Sequence, residues 1–320
     1  MLPSIPDEIW RYIFLTLDGL QDQSDSQYER EKDIGRLSSV CRTWRDICIS
    51  TSALWKRITF DDRKSNVHAE LLRMGVSLAR SSFQQLEASI TISSSDPSML
   101  SFVVLALEEH LTRVRKLDLS LVYLDPPHSP RLDVSTWPIM RTLEELTLEN
   151  IRFHSSPEFR ALLRCTPALR SLRVGGMSWI AHFLPDSGKE AVALPHLQEF
   201  TLDSYVLYTF VDVEFSIPAL QRLTLLNTEY SLSWHTLLSH LSWETSPTEL
   251  ILSGAFPESS VSSILAFFPT IQELSLYSCP TDVVHLLREF SEDKISALRH
   301  LPRRPDNRGG ARTQDQAARA

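Results

Sequence analysis

Few residues of this 320-residue chain stand at the spacings that reactive chemistry requires. His68-Ala69-Glu70 has the His-x-Glu form with which zinc deaminases hold a metal and move a proton, but no Pro-Cys-x-x-Cys companion follows it. His235 and His240 are five residues apart, off the i, i+4 spacing that sets two zinc ligands on one helical face, and no acidic residue lies between them. Cys41, Cys48, Cys165 and Cys279 form no Cys-x-x-Cys pair, and strings of the Gly-x-Ser-x-Gly, Gly-x-Gly-x-x-Gly and phosphate-loop types are absent. The expectation is a chain that is not an enzyme and carries no catalytic residues, no metal and no cofactor. The remaining side chains suit recognition: charged residues flanking paired leucines, and wide apolar stripes that include tryptophans.

The paired leucines recur. Val114-x-x-Leu117-x-Leu119, Leu143-x-x-Leu146-x-Leu148, Leu169-x-x-Leu172-x-Val174 and Leu197-x-x-Phe200-x-Leu202 share one template with Leu220-x-x-Leu223-x-Leu225 and Ile271-x-x-Leu274-x-Leu276. A weaker copy holds Leu250 and Leu252. The central positions, 117, 146, 172, 200, 223, 250 and 274, are 29, 26, 28, 23, 27 and 24 residues apart, about 26 on average. Degenerate copies at Leu86 to Ile92 and near Leu298 extend the series at both ends. The alternation predicts short strands with leucines inward. Helical patterns fill the intervals: one starts with a capping box at Ser155, with Phe159, Leu162 and Leu163 inward, and another starts at Thr281-Asp282. Prolines at 167, 195, 218, 247 and 269 stop the helices just before the strands. Residues 61–301 resemble a leucine-rich repeat solenoid, with parallel strands on the concave face and helices on the back, similar to the arrays of many fungal substrate receptors. The usual Asn or Cys at the ninth position of a repeat is matched only by Cys279, so an asparagine ladder is expected to be absent.

On such strands the residues beside the leucines would line the concave face. They include Glu145, Glu149, Arg173, Glu199, Asp203, Arg222, Glu249, Glu273 and Tyr277, which are the candidate target-binding residues. Acidic residues outnumber basic ones among them, so the face is expected to prefer a basic segment of a protein target. The competing reading is that they are ordinary solvated strand positions.

The first sixty residues are organised differently. Ile5, Ile9, Trp10, Ile13, Phe14 and Leu17 make one helical stripe, and Ile34, Leu37, Val40, Cys41, Trp44, Ile47 and Cys48 make a second, followed by a last short turn with Leu54 and Trp55. A unit this small buries only about 60% of its unfolded surface, so stripes this wide leave apolar surface over for a partner or for the rest of the chain. The order Ile5-Pro6-x-Glu8-Ile9-x-x-x-Ile13-Phe14-x-x-Leu17, Asp33-Ile34-x-x-Leu37-x-x-Val40-Cys41-Arg42-x-Trp44-Arg45 and Leu54-Trp55 resembles the F-box. The resemblance implies docking on a Skp-type adaptor and membership of a cullin-RING ubiquitin ligase. By position it implies that Ile5, Pro6, Ile9, Ile13, Leu17, Val40, Cys41, Trp44 and Trp55 face the adaptor or hold the helices that do. The insert at 18–33, with six acidic and two basic residues, departs from the family and is expected to be a solvated loop or a lengthened second helix.

An apolar fraction of 42% against 22% charged residues places the chain among globular proteins. A net charge of −8 and a pI near 5.7 argue against nucleic acid. Sparse cysteines suit a reducing compartment, and the absence of a signal peptide or a long apolar run argues against a membrane. The chain is expected to be cytoplasmic or nuclear. The sequence thus predicts an α/β protein with a three-helix head over 1–60, a solenoid over 61–301 and a disordered, arginine-bearing tail over 302–320. Its expected function is that of a substrate receptor in an SCF-type ligase. The alternative is a repeat scaffold for protein interactions with no role in ubiquitin transfer.

Overall fold

A computed structural model describes residues 5–20, 27–63, 66–93, 97–122, 132, 134–151, 153, 156–176, 191–203, 215–227, 234, 238, 246–268, 270–277 and 297–301. The first apolar stripe winds into helix α1 (Asp7–Leu20), with Asp7 and Glu8 in the first turn, where the helix dipole favours acidic groups. The second stripe divides into α2 (Gln27–Val40) and α3 (Arg42–Ser50), and a 3₁₀ turn, Ser52–Trp55, follows. Residues 27–33 of the insert lengthen α2, which settles that stretch as helix; residues 21–26 lie outside the described residues. Cys41 breaks the chain between α2 and α3: its backbone is extended, and its Sγ accepts the Trp44 N–H at 3.5 Å as a helix cap. Phe14, Ile34, Ile47, Cys48 and Leu54 form the core of this head, with Trp10, Ile13, Leu37, Trp44 and Trp55 packed around them.

The rest is organised by a ten-stranded sheet. Its strands are β1 (Arg57–Asp61), β2 (Leu86–Ile92), β3 (Val114–Leu121), β4 (Glu145–Glu149), β5 (Ser171–Gly175), β7 (Glu199–Asp203), β9 (Arg222–Asn227), β10 (Glu249–Gly254), β11 (Glu273–Tyr277) and β12 (Ala297–Leu301). They lie side by side in chain order and every pair is parallel. All seven leucine strings are strands of this sheet, and their central residues are direct partners from strand to strand: Leu117, Leu146, Leu172, Phe200, Leu223, Leu250 and Leu274. β1 was not anticipated, although Ile58-x-Phe60 carries the same alternation, and it starts at Arg57, ahead of the boundary expected at residue 60. The mixed α/β architecture, helices first and then a parallel sheet in chain order, is compatible with a helical head joined to a repeat array.

Helices α4 (Val67–Arg80), α5 (Pro97–Glu108), α6 (Ser156–Arg164) and α7 (Glu258–Phe267) cover the leucine side of the sheet. Asn66 caps α4 by accepting the Ala69 N–H at 3.0 Å. Met74 and Leu78, Val103 and Leu107, Phe159 and Leu162, and Val261 and Ile264 join the strand leucines in one continuous buried cluster. Short strands β6 (Val192–Ala193) and β8 (Phe215–Ser216), lying respectively before β7 and before β9, pair with each other. The helix expected from Thr281, the capping residue Ser155, Cys279 and the tail 302–320 lie outside the described residues.

Two local devices set where the strands begin and end. Pro167 and Pro195 each sit second in a β-turn whose last N–H, that of Leu169 or Leu197, returns to the carbonyl of Thr166 or Leu194 at 3.2 Å. The turn therefore delivers the first leucine of each string to the core. At the other end, polar side chains cross between strands. Asn150 Nδ2 donates to the Leu121 carbonyl at 2.7 Å, Asn227 Nδ2 donates to the Ala255 carbonyl, and Asp62 accepts the Ser93 N–H at 2.6 Å. These side chains stand one place before the ninth position of the repeat, so the expected absence of an asparagine ladder holds only at that position. Asn150 adopts φ 57°, a left-handed conformation asparagine tolerates. Gly254, at φ 114°, lies against the backbone of Asn227, and a methyl group there would overlap the Asn227 carbonyl oxygen. The Gly254→Ala variant is therefore expected to lose about 1–3 kcal/mol of stability, seen as a lower denaturant midpoint, while Gly35→Ala in the middle of α2, whose added methyl meets nothing within 4 Å, should raise the midpoint slightly, because alanine favours a helix interior by roughly 0.5–1 kcal/mol over glycine.

Candidate functional site

Two surfaces gather the residues singled out in the sequence. On the head, the helical spacing of α1 sends Phe14 inward and leaves one flank out: Ile5 is 48% exposed, Ile9 49% and Leu17 45%, and Val40 at the end of α2 is 62% exposed. Pro6 and Cys41 are also exposed, and Tyr12 and Leu15 add to the apolar surface without having been anticipated. Ile13, Trp44 and Trp55 are half-buried and support the head from within. Trp44 packs against Trp10 at a tilt and edge-to-face against Phe14, with ring centroids 4.6 and 5.1 Å away. Trp55 is fixed twice: its Nε1–H donates to the Cys48 carbonyl at 2.8 Å, and the Arg80 guanidinium lies 4.6 Å from its ring centre. Burial pushes the Cys48 thiol above its ordinary value, so it remains protonated packing material. Of the nine residues assigned to adaptor docking, six are thus exposed and three hold the helices.

The second surface is the side of the sheet away from the helices. The same in-register pairing that stacks leucines stacks charges there. Arg57 meets Glu87 at 3.0 Å, Lys116 meets Glu145 at 2.8 Å, and Arg222 bridges Glu199 and Glu249, each at 2.6 Å. Arg173 reaches Glu149 at 3.2 Å, one strand away. The acidic residues expected to await a basic target are therefore largely compensated by basic residues 23 to 30 positions distant in the chain. Pairing fixes these side chains at little gain in stability, since exposed ion pairs contribute only about 0–1 kcal/mol. Glu273 and Tyr277 are half-buried on β11. Asp203 is placed differently from expectation. It is buried at the end of β7, with its Cβ near Gly175.

Of the residues that hinted at metal chemistry, only His68 and Glu70 are described. His68 is exposed, and Glu70 is buried in an ion pair with Arg73 on the next turn of α4. His235 and His240 lie outside the described residues. Among the described residues no cluster of three potential metal ligands occurs, and no helix is long and apolar enough to cross a membrane.

Compared with models of protein families, the chain matches the F-box-like model over residues 2–61, which ends on the last residue of β1. F-box domains in general bind Skp-type adaptors. A search of curated proteins by sequence finds no match.

Asp118, central in β3 between Lys116 and Ser120, offers a test of the charged face. Partial burial, and secondarily Glu149, raise its pKa, while Lys116 and Arg173 oppose the rise. A carboxyl raised in the folded state takes up its proton earlier than in the unfolded chain, so its contribution is most favourable in acid and is lost as pH rises through the folded value. Asp118→Asn is accordingly expected to raise the melting temperature at neutral pH, with the gain fading as pH falls below the ordinary carboxylate range. A gain that persists unchanged in acid would remove burial of this charge as its cause.

Proposed function

We propose that the chain is the substrate receptor of an SCF-type cullin-RING ubiquitin ligase. Its F-box-like head binds a Skp-type adaptor, and residues 57–301 form a leucine-rich repeat solenoid that holds a protein target. The observation that carries this reading is the apolar flank of α1 together with Val40. A head whose own core has five buried side chains presents several more to solvent, and a surplus of that kind marks a protein interface. The chain itself is proposed to be non-catalytic. Its contribution is proximity, which converts a bimolecular encounter between target and ligase into a nearly intramolecular one.

The target is proposed to bind across the exposed strand face, where Glu145, Glu149, Arg173, Glu199, Arg222, Glu249, Glu273 and Tyr277 lie. Because the acidic groups there already have basic partners on neighbouring strands, a basic target must displace Lys116, Arg173 or Arg222 from them. The ion pairs thus oppose indiscriminate capture of cations and favour a partner that offers charge of both signs at the strand spacing.

A second reading has its own support. The 3₁₀ turn of the head touches both α1 and α4, and Trp55 is covered by Arg80 of α4, as in a helical unit that caps the first strand of a repeat scaffold. A pull-down of the Skp-type adaptor with purified full-length chain separates the two. Ile5→Glu, Ile9→Glu and Val40→Glu combined are expected to weaken adaptor capture by about 100-fold or more without moving the melting temperature, because all three side chains are exposed. Undiminished capture by this variant would overturn the receptor reading, as would a wild-type chain that captures no adaptor.

A further inference from the structure

A groove of about 430 Å3 lies where the head meets the array, between α2 and α3 on one side and α4 on the other. Its floor is apolar, made by Ile34, Cys48 and Leu54. Its walls carry Trp55, Ile49, Val76 and Leu72, the last 72% exposed although it faces an apolar recess. Four arginines line it, Arg45, Arg57, Arg73 and Arg80, and no acidic residue does. Glu87 answers Arg57 and Glu70 answers Arg73. Arg45 donates through Nε to the Ser38 carbonyl at 3.1 Å and Arg80 lies over Trp55; neither has a carboxylate partner among the described residues. The recess is thus oily below and positive above.

We propose that this groove binds a small amphipathic anion, an aliphatic chain ending in a carboxylate, with the chain against Ile34, Leu54, Leu72 and Val76 and the carboxylate between Arg45 and Arg80. Charge selects the head group, since guanidinium presents paired donors that match a carboxylate. Size selects a small molecule. The volume falls within the ~300–1,000 Å3 of small-molecule sites. The site stands apart from the adaptor reading, because Trp55 is the only one of the nine adaptor-docking candidates that lines it.

Dodecanoate, titrated into the full chain below its micelle-forming concentration and followed by calorimetry, is expected to bind at one saturable site. Dodecyltrimethylammonium, with the same chain and the opposite charge, should bind at least tenfold more weakly, and acetate should produce no saturable heat. Losing the two arginines in an Arg45→Gln, Arg80→Gln double variant is expected to weaken dodecanoate by roughly tenfold or more. Leu72→Asp, on a side chain too exposed to threaten the fold, should do the same with an unchanged melting curve. Comparable affinity for the ammonium compound, unchanged affinity in both variants, or no saturable binding of dodecanoate would each overturn the assignment. Binding of an acidic amphipathic peptide in place of dodecanoate would overturn it too and give the groove to a protein partner.

Discussion

The register of the parallel sheet is the constraint on which the rest depends. Leucine meets leucine from β3 to β11, with Phe200 the single aromatic substitute, and each neighbour along a strand falls on the opposite face. A slip of one residue between any two strands would turn a buried leucine out and a charged residue in. The cost of burying an unpaired charge far exceeds what a leucine gains, so the core enforces the register. Once it is enforced, every other column is determined as well. Arg57, Glu87, Lys116 and Glu145 become consecutive rungs, as do Glu199, Arg222 and Glu249.

That dependence explains which parts of the architecture were legible in the sequence. Strand positions could be read because period-two alternation and a spacing of about 26 residues are local and repeated. The head could be read because its stripes run at helical period within single segments. The ion pairs could not, since pairing Arg222 with Glu249 needs the register, and the register belongs to the assembled sheet rather than to either string. Asp203 shows the same limit: its place in the pattern pointed outward, yet the last residue of β7 is buried. The groove was equally hidden, because its lining comes from two segments, residues 34–57 and 72–80, that only the assembled fold brings together.

The strand-end side chains were missed for a different reason. Asn150 and Asn227 stand in plain view in the sequence, but the familiar repeat places its asparagine one position later. Their bonds reach backward to Leu121 in one case and forward to Ala255 in the other, so no single consensus describes them. What they share is the task of satisfying backbone groups where the ladder stops, and any polar side chain able to reach the next turn serves. Asp62 serves by accepting from Ser93. Repeats that use different residues for this task form an array held together by its leucines more than by repeated polar detail.

The head and the array meet through Trp55, and this joint ties the two surfaces mechanically. Its indole is held on one edge by the Cys48 carbonyl and on one face by Arg80, so the last turn of the head and helix α4 share one anchored side chain. β1 follows within two residues and is the first rung of the sheet. Only Lys56 separates the last turn of the head from the first rung of the sheet. A short, packed connection of this kind limits the positions that anything held on the strands can take relative to anything held on the head. For two sites that act together by proximity, that restriction raises the effective concentration of one bound partner at the other above what a flexible tether of the same reach would give.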